Sequence, residues 1–359
     1  MFSASPNPAL STTPNHEKHG QLCRSDLCMD NYIPETEAAN HAQKLKATMV
    51  SRSNPEKPMT PLMIAKAAHA IIKAESSVDM MAATGLTHPQ LPSCYDIELT
   101  EPKEITLKNA TWKNKNQELA KSGRDASVFG SLGVLIVSHD IPSVDIPTMK
   151  ATAVPKPFLE RYGAELISLE QPVNIDKALD PSLEQLYLIE YHFNTEYVPE
   201  YAMKIEGGGG LFVETHPFPQ IFTPLSKECT GAVILGRSVS ENEYTFAAFE
   251  IPFGYTLKIA PNVIHGDSFF VGPYAIALNE TPLADSVLIR KDTSDREIEP
   301  VRLRPIESVK LPLEKPNPST SLDDQATLPF SFFKNTVSAP NSNDVSSSVQ
   351  SACVNNLLV

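Results

Sequence analysis

The strongest constraint on this chain is the stretch from Gly207 to Leu278, where short apolar or alternating runs are broken every few residues by Gly, Pro, Ser and Asn. Gly231 to Gly236, Tyr244 to Ile251 and Gly254 to Ile259 are each the length of a strand, and the turn residues between them favour antiparallel neighbours. That rhythm predicts a small antiparallel β-barrel, whose mouth gathers side chains from strand ends and is where small ligands bind. Two histidines lie at the ends of such runs. His216 stands in Glu214-Thr215-His216-Pro217-Phe218-Pro219-Gln220, and His265 in Pro261-Asn262-Val263-Ile264-His265-Gly266-Asp267. Residues two apart on a strand share a face, so Glu214 and His216 point the same way.

Composition narrows the ligand. The chain has 359 residues and a formal net charge of −13, which argues against nucleic acid or an anionic membrane surface as a partner, since both attract basic proteins. A small molecule is the expected partner. The five cysteines, Cys23, Cys28, Cys94, Cys229 and Cys353, are odd in number and scattered, so a disulfide framework is not implied and a reducing, cytoplasmic setting fits. Cys23 and Cys28, with His16 and His19 upstream, suggest zinc only weakly, because no second regular ligand pair follows. The longest apolar run, Leu132 to Val137, is a buried strand in length and far short of a membrane span. The segment from Met1 to Asn15 lacks the basic start and apolar run of a signal peptide.

Four regions are expected along the chain. Residues 1–57 read as a mostly disordered arm with one short helix near Glu35 to Met49. Residues 58–150 read as a helical, then extended, segment packing on the barrel; 151–309 as the barrel; and 310–359 as a disordered tail whose apolar patch, Leu328 to Phe333, can clip back. Within the second region, Thr60 and Pro61 resemble an N-cap and N1 proline. Leu62, Ile64, Ala65, Ala68, Ile71 and Ile72 then recur at helical spacing, predicting a helix to about Ala74. A second short helix is expected over Ser77 to Thr84, ended by Gly85. His69 reads as a helix histidine, His139-Asp140 as a loop entry, and His192 as a strand residue in the core. The four glycines Gly207 to Gly210 precede a strand rather than a helix, which argues against a phosphate cradle.

Three motifs occur in one order: Phe158 to Ile167, with its Tyr162-Gly163 pair; Glu214-x-His216-Pro217 followed by Gln220-x-Phe222-x-Pro224; and Asn262-Val263-Ile264-His265. Together they resemble ureidoglycolate lyase-like proteins of the cupin superfamily, over roughly residues 152–292. The resemblance implies a cupin-type antiparallel β-barrel, usually a homodimer, that splits a small carboxylated ureide into glyoxylate and urea. It implies His265 as leading acid/base, His216 as its partner and Glu214 as the group orienting them or sharing the proton. Gln220 would bind substrate; on charge alone, and not from the resemblance, Arg237 or Lys258 is expected to neutralise its carboxylate. No cofactor is required for that reaction. Should a divalent metal bind, Glu214, His216, Gln220 and His265 are its candidate ligands, with the amide the weakest. A non-enzymatic binding protein with partner-recruiting tails, or a metal-dependent oxygenase or isomerase, are the alternatives. Ile264 stands where the family has Trp, and Gly266 where it often has a second His.

Overall fold

The structure, a computed structural model, describes residues 51–86, 96–108, 111–114, 131–137, 144–204, 207–208, 211–279, 285–291 and 301–312. Two units divide the chain, Met1–Pro312 and Leu313–Val359, and every described residue belongs to the first. The expected helix near residues 35–49, the Cys23/Cys28 pair, His139-Asp140 and the 328–333 patch lie outside the described residues.

The fold is mainly β. In chain order the first strands are β1 (Arg52–Ser53), β2 (Pro61–Lys73), β3 (Ser77–Val78), β4 (Asp96–Leu99), β5 (Ile105–Lys108), β6 (Thr111–Asn114), β7 (Ser131–Val137) and β8 (Val144–Lys150). They are followed by β9 (Ala164–Ser168), β10 (Val173–Asn174), β11 (Gln185–Phe193), β12 (Leu211–Thr215), β13 (Gln220–Pro224), β14 (Val233–Ser240) and β15 (Glu243–Glu250). The last are β16 (Tyr255–Ile259), β17 (Ile264–Gly266), β18 (Gly272–Leu278), β19 (Asp285–Lys291), β20 (Val301–Pro305) and β21 (Val309–Pro312). Among the described residues two short helices, α1 (Met80–Thr84) and α2 (Lys156–Glu160), and one π-helical turn, Val198–Ala202, interrupt them.

Two large sheets carry the structure, in the orders β1-β2-β11-β18-β13-β16-β9 and β20-β8-β15-β14-β17-β12-β19-β7-β6, with β5 also on β15. Neither closes into a barrel, which corrects that expectation. From β11 to β18 the chain passes back and forth between the two sheets, giving β11-β18-β13-β16 in one and β15-β14-β17-β12 in the other. The sheets share a core. Phe222, Leu257 and Ile276 of the first and Val233, Leu235, Ala247 and Phe249 of the second join one buried cluster. Alternate residues of the second sheet, Ile234, Phe246 and Ala248, face the other way into a second cluster with Leu107, Val144 and Ile146. Strand alternation therefore makes Leu235 an inward-facing residue, and His265, its direct cross-strand partner, faces inward with it.

The expected helix over Thr60 to Ala74 is instead the strand β2, paired with β11 along its length. Its helix-like spacing has a physical origin. Leu188 pairs with Ala70, Ile189 with Ala68 and Tyr191 with Ala65, so β2 carries extra residues at two points. Each bulge resets the inward face and turns a period of two into one near three. Arg52–Ser53, inside the expected arm, is a strand on the edge of β2. Of the described residues in 58–150, β2 widens one sheet, and β5, β6, β7 and β8 widen the other. The second predicted helix is present in shortened form. Asp79 caps α1 by accepting from the Ala82 amide, and Gly85, at φ 69°, ends it, while Ser77–Val78 pairs with β10.

Candidate functional site

β12 and β17 are adjacent antiparallel strands, and Glu214 lies directly opposite His265. The approach to β17 is a turn in which the Val263 amide donates to the Ala260 carbonyl at 3.4 Å. Pro261 takes its second position and Asn262, at φ 62°, its third, the left-handed place that a type II turn demands. The Asn262 amide then donates to the His216 carbonyl at 2.8 Å, so the turn aiming one histidine is tied to the backbone of the other. After β12 the chain crosses to the opposite sheet through Pro217 and Pro219, which offer no amide protons, and β13 begins at Gln220. That crossing brings the Gln220 Oε1 within 3.2 Å of His216 Nε2. Phe218 stacks on the His216 ring with centroids 3.7 Å apart, and Phe222 meets His265 edge-on.

The hydrogen bonds fix the tautomers. His216 Nδ1 lies 2.8 Å from the Phe218 carbonyl and His265 Nδ1 lies 2.9 Å from the Val263 carbonyl. A carbonyl only accepts, so each Nδ1 carries a proton and each neutral ring turns an Nε2 lone pair inward. For His216 the Gln220 amide can rotate to donate to that lone pair. His265 has no such relief. Its Nε2 is buried and lies 3.3 Å from Glu214 Oε1, but among the described residues no group approaches along a hydrogen-bond direction. A lone pair facing a carboxylate is repulsive, and only a proton on Nε2 or a cation between the two removes the repulsion. The donor atoms of Glu214, His216 and His265 all lie within 4.8 Å of one another.

Electrostatics agree with the geometry. Burial, and then the charge of His265, push the His216 imidazole down to about 4, so it is neutral at pH 7. Burial pushes the Glu214 carboxyl up, but contact with His265 and the charges of His265, His216 and Arg52 outweigh it and hold the group below the usual range. Glu214 keeps 21% of its side chain accessible, whereas His265 keeps 1%, so the approach to the site is from the carboxylate side.

Two nominated cations lie elsewhere. Lys258 follows Leu257 and precedes Ile259, both inward-facing, so alternation turns it to the opposite face of its sheet. There it meets Asp176 and Glu165 at 3.2 Å each and the Asn174 carbonyl at 3.0 Å. Arg237 pairs with Glu104 at 3.3 Å and lies over the Tyr162 ring, while the Tyr162 hydroxyl donates to the same carboxylate. Neither reaches the histidines. His192 is 38% exposed and pairs with Glu190, so it is a surface residue rather than a core one.

Two other residues belong to the neighbourhood. Asp267 follows His265 by two, just past the end of β17; burial and the charge of Glu214 push its carboxyl up to about 6, against the pull of His265 and Arg52. The signal was legible: Asp267 follows His265 of β17 by two, as His216 follows Glu214 of its antiparallel neighbour β12 by two. Arg52, from β1, donates from Nη1 to the Tyr197 hydroxyl at 3.0 Å. Nothing in the sequence marks it, because it is distant in the chain from both motifs. Comparison with protein-family models, with curated proteins and with solved structures finds no match to this chain.

Proposed function

We propose that this chain is a cupin-type jelly roll that binds a divalent metal ion at Glu214, His216 and His265 and acts there on a small carboxylated molecule. The supporting observation is the orphaned His265 Nε2. Both imidazoles have their Nδ1 protons anchored on backbone carbonyls, the arrangement that prepares a histidine as a ligand, and both lone pairs converge with a carboxylate oxygen. The donor set of two imidazoles and one carboxylate suits iron, manganese, zinc or nickel. The strand order supports the topological half of the reading, since the eight strands β11 to β18 cross between two sheets at every step but the β14–β15 hairpin, the pattern of the two Greek keys of a jelly roll.

A bound divalent ion supplies Lewis-acid polarisation of a substrate oxygen. The chain's own residues do the rest. Gln220 offers an amide beside His216 for hydrogen bonding, Phe218 and Phe222 exclude water from one side of the rings, and Glu214 meets the incoming molecule. Elemental analysis of the purified full-length chain tests this. Stoichiometric metal is expected in the wild type, lost in His265→Ala and Glu214→Ala and kept in Lys258→Ala. No metal after exposure to each of these four ions would refute it.

The contact between Glu214 and His265 favours a second, metal-free reading. With a proton on Nε2, the pair is an acid–base couple of the kind the ureidoglycolate resemblance implies. A base would take the hydroxyl proton as the C–N bond breaks, forming glyoxylate, and an acid would protonate the departing urea nitrogen. Glyoxylate release that survives a chelator and is lost in His265→Ala would favour this reading over the metal one.

A further inference from the structure

We infer that Arg161, Arg237 and Thr245 form a second binding site, for a hydrogen phosphate group, with Glu104 accepting a hydrogen bond from the phosphate hydroxyl. The site is separate from Glu214, His216 and His265 and does not rest on the function proposed for them.

Strand register brings these groups together. Arg237 of β14 lies directly opposite Thr245 of β15, so their Cβ atoms are about 5 Å apart. Alternation along β14 puts Arg237 on the same face as Leu235, and alternation along β15 puts Thr245 on the same face as Ala247 and Phe249, the face between the two sheets. The corner after α2 packs over that face. Phe158 and Tyr162 meet the Phe249 ring edge-on, and Arg161 lies over the Phe158 ring, its charged carbon 4.8 Å from the centroid. Glu104, just before β5, completes the group by accepting from the Tyr162 hydroxyl at 2.8 Å and from Arg237 Nη2 at 3.3 Å.

Two guanidinium groups share this one carboxylate. Arg161 Nη2 lies 3.7 Å from Glu104, too far for a hydrogen bond, and among the described residues neither arginine has another carboxylate in ion-pair range. The nearby Glu160 and Glu101 pair with Lys156 and Lys103 instead. One positive charge is therefore left over, on a chain whose net charge is −13. Two buried polar atoms are also left over. Arg237 Nε and Thr245 Oγ1 make no hydrogen bond among the described residues, and Thr245 is 2% exposed. The Tyr162 phenol is near enough to feel Thr245, but no hydrogen-bond geometry joins them. Both atoms are donors whose burial is unfavourable until an acceptor arrives. Donors on three side chains suit a tetrahedral oxyanion better than a planar carboxylate, which one arginine fork saturates. Glu104 then selects among oxyanions. Its Oε1 accepts one bond and keeps a lone pair, which repels sulfate but accepts from the hydroxyl of hydrogen phosphate. Half of the Arg161 side chain is exposed, so the ligand enters from its side.

The test uses the full-length chain and its variants Arg161→Gln, Thr245→Val, Glu104→Gln and His265→Ala. Inorganic phosphate and sulfate are the probes, at about pH 8, where phosphate keeps one proton. Binding is read by calorimetry and by the rise in melting temperature that a ligand specific for the folded state produces. Phosphate is expected to bind and stabilise the wild type, with sulfate about tenfold weaker or more. Arg161→Gln and Thr245→Val should each weaken phosphate by about tenfold to a hundredfold, the loss of one hydrogen bond to a charged group. Glu104→Gln should abolish the preference for phosphate over sulfate. His265→Ala should bind phosphate as the wild type does. No phosphate binding by the wild type, sulfate bound as tightly as phosphate, or an unchanged phosphate affinity in Arg161→Gln overturns the inference. So does a preference that survives Glu104→Gln, and so does phosphate binding lost in His265→Ala, which would put the anion at the other centre. If Thr245→Val or Glu104→Gln does not fold, Arg161→Gln decides, because its exposed side chain holds no part of the core.

Discussion

Replacing Asp267 by Asn should expose a pH dependence of stability that is hidden in the wild type. In metal-free protein two buried groups of the centre pull in opposite directions. His216 titrates at 6.5 in the unfolded chain and at about 4 in the fold. As pH falls from 6.5 towards 4, the unfolded state takes up a proton that the folded state refuses, so stability falls. At about 1.36 kcal/mol per pH unit the loss approaches roughly 3 kcal/mol. Asp267 titrates at 3.8 unfolded and at about 6 folded. Its folded-state affinity for the proton is the higher one, so its contribution is fully present below 3.8 and is lost as pH rises through 6. That term is also roughly 3 kcal/mol, with the opposite sign. In the wild type the two nearly cancel between pH 7 and 4. Asp267→Asn removes one and keeps the other, so the variant should lose about 3 kcal/mol more than the wild type over that range. Urea unfolding in the presence of a chelator, at half-unit pH steps, reads this as a midpoint that moves by about 1–3 M relative to the wild type. Other carboxylates titrate in both proteins and drop out of the comparison. Parallel stability profiles would show that the two groups do not have the environments assigned to them.

Further outcomes follow from single contacts. Gly231→Ala should destabilise the fold by well over about 2 kcal/mol by denaturant titration, because a Cβ there would lie 1.8 Å from the Phe269 carbonyl oxygen and the backbone is at φ 83°. Lys258→Ala should cost about 1–2 kcal/mol of stability, since its buried ammonium holds Glu165 and Asp176 at one sheet face, and leave metal content unchanged. Asn262→Gly should be nearly neutral. Asn262→Val, with a β-branched residue at φ 62°, should cost about 1–3 kcal/mol and, by misplacing His265, lower metal occupancy.

The strands from Ala164 to Leu278 were legible because nearly all of them are framed by turn residues whose chemistry is local: Gly163 at φ 65° after α2, Gly254 at φ 94° before β16, Pro261-Asn262 before β17. The two histidines and Glu214 were legible for the same reason, as polar residues at the ends of such strands. Closure was not legible. Whether a run of antiparallel strands closes on itself or divides between two facing sheets depends on which edges meet, and extra strands from residues 61–150 and 285–305 occupy those edges here. β2 was not legible because a strand carrying two bulges shows helical spacing, and only the pairing with β11 reveals it. Charge alone points to Arg237 and Lys258. Their positions follow from strand parity, which a register supplies and a composition does not.

The centre owes its geometry to a mirrored arrangement. β12 and β17 run in opposite directions and end at Thr215 and Gly266, so the directly opposed pair Glu214 and His265 joins an acid to an imidazole, and the chain adds His216 just past one strand end and Asp267 just past the other. Two strands alone would give a flat row. Pro217 and Pro219 send the chain from β12 to the facing sheet within four residues of His216, and Gln220 thereby closes over the row from the other side. The same crossing delivers the Phe218 carbonyl that holds the His216 proton, and the Pro261-Asn262 turn delivers the Val263 carbonyl that holds the His265 proton. Each loop thus places a histidine and also fixes which of its nitrogens is left to act. A substitution that moves either carbonyl should change the protonation pattern of the centre before it changes the fold, and the imidazole nitrogen shifts in an NMR spectrum of Asn262→Val would show the change directly.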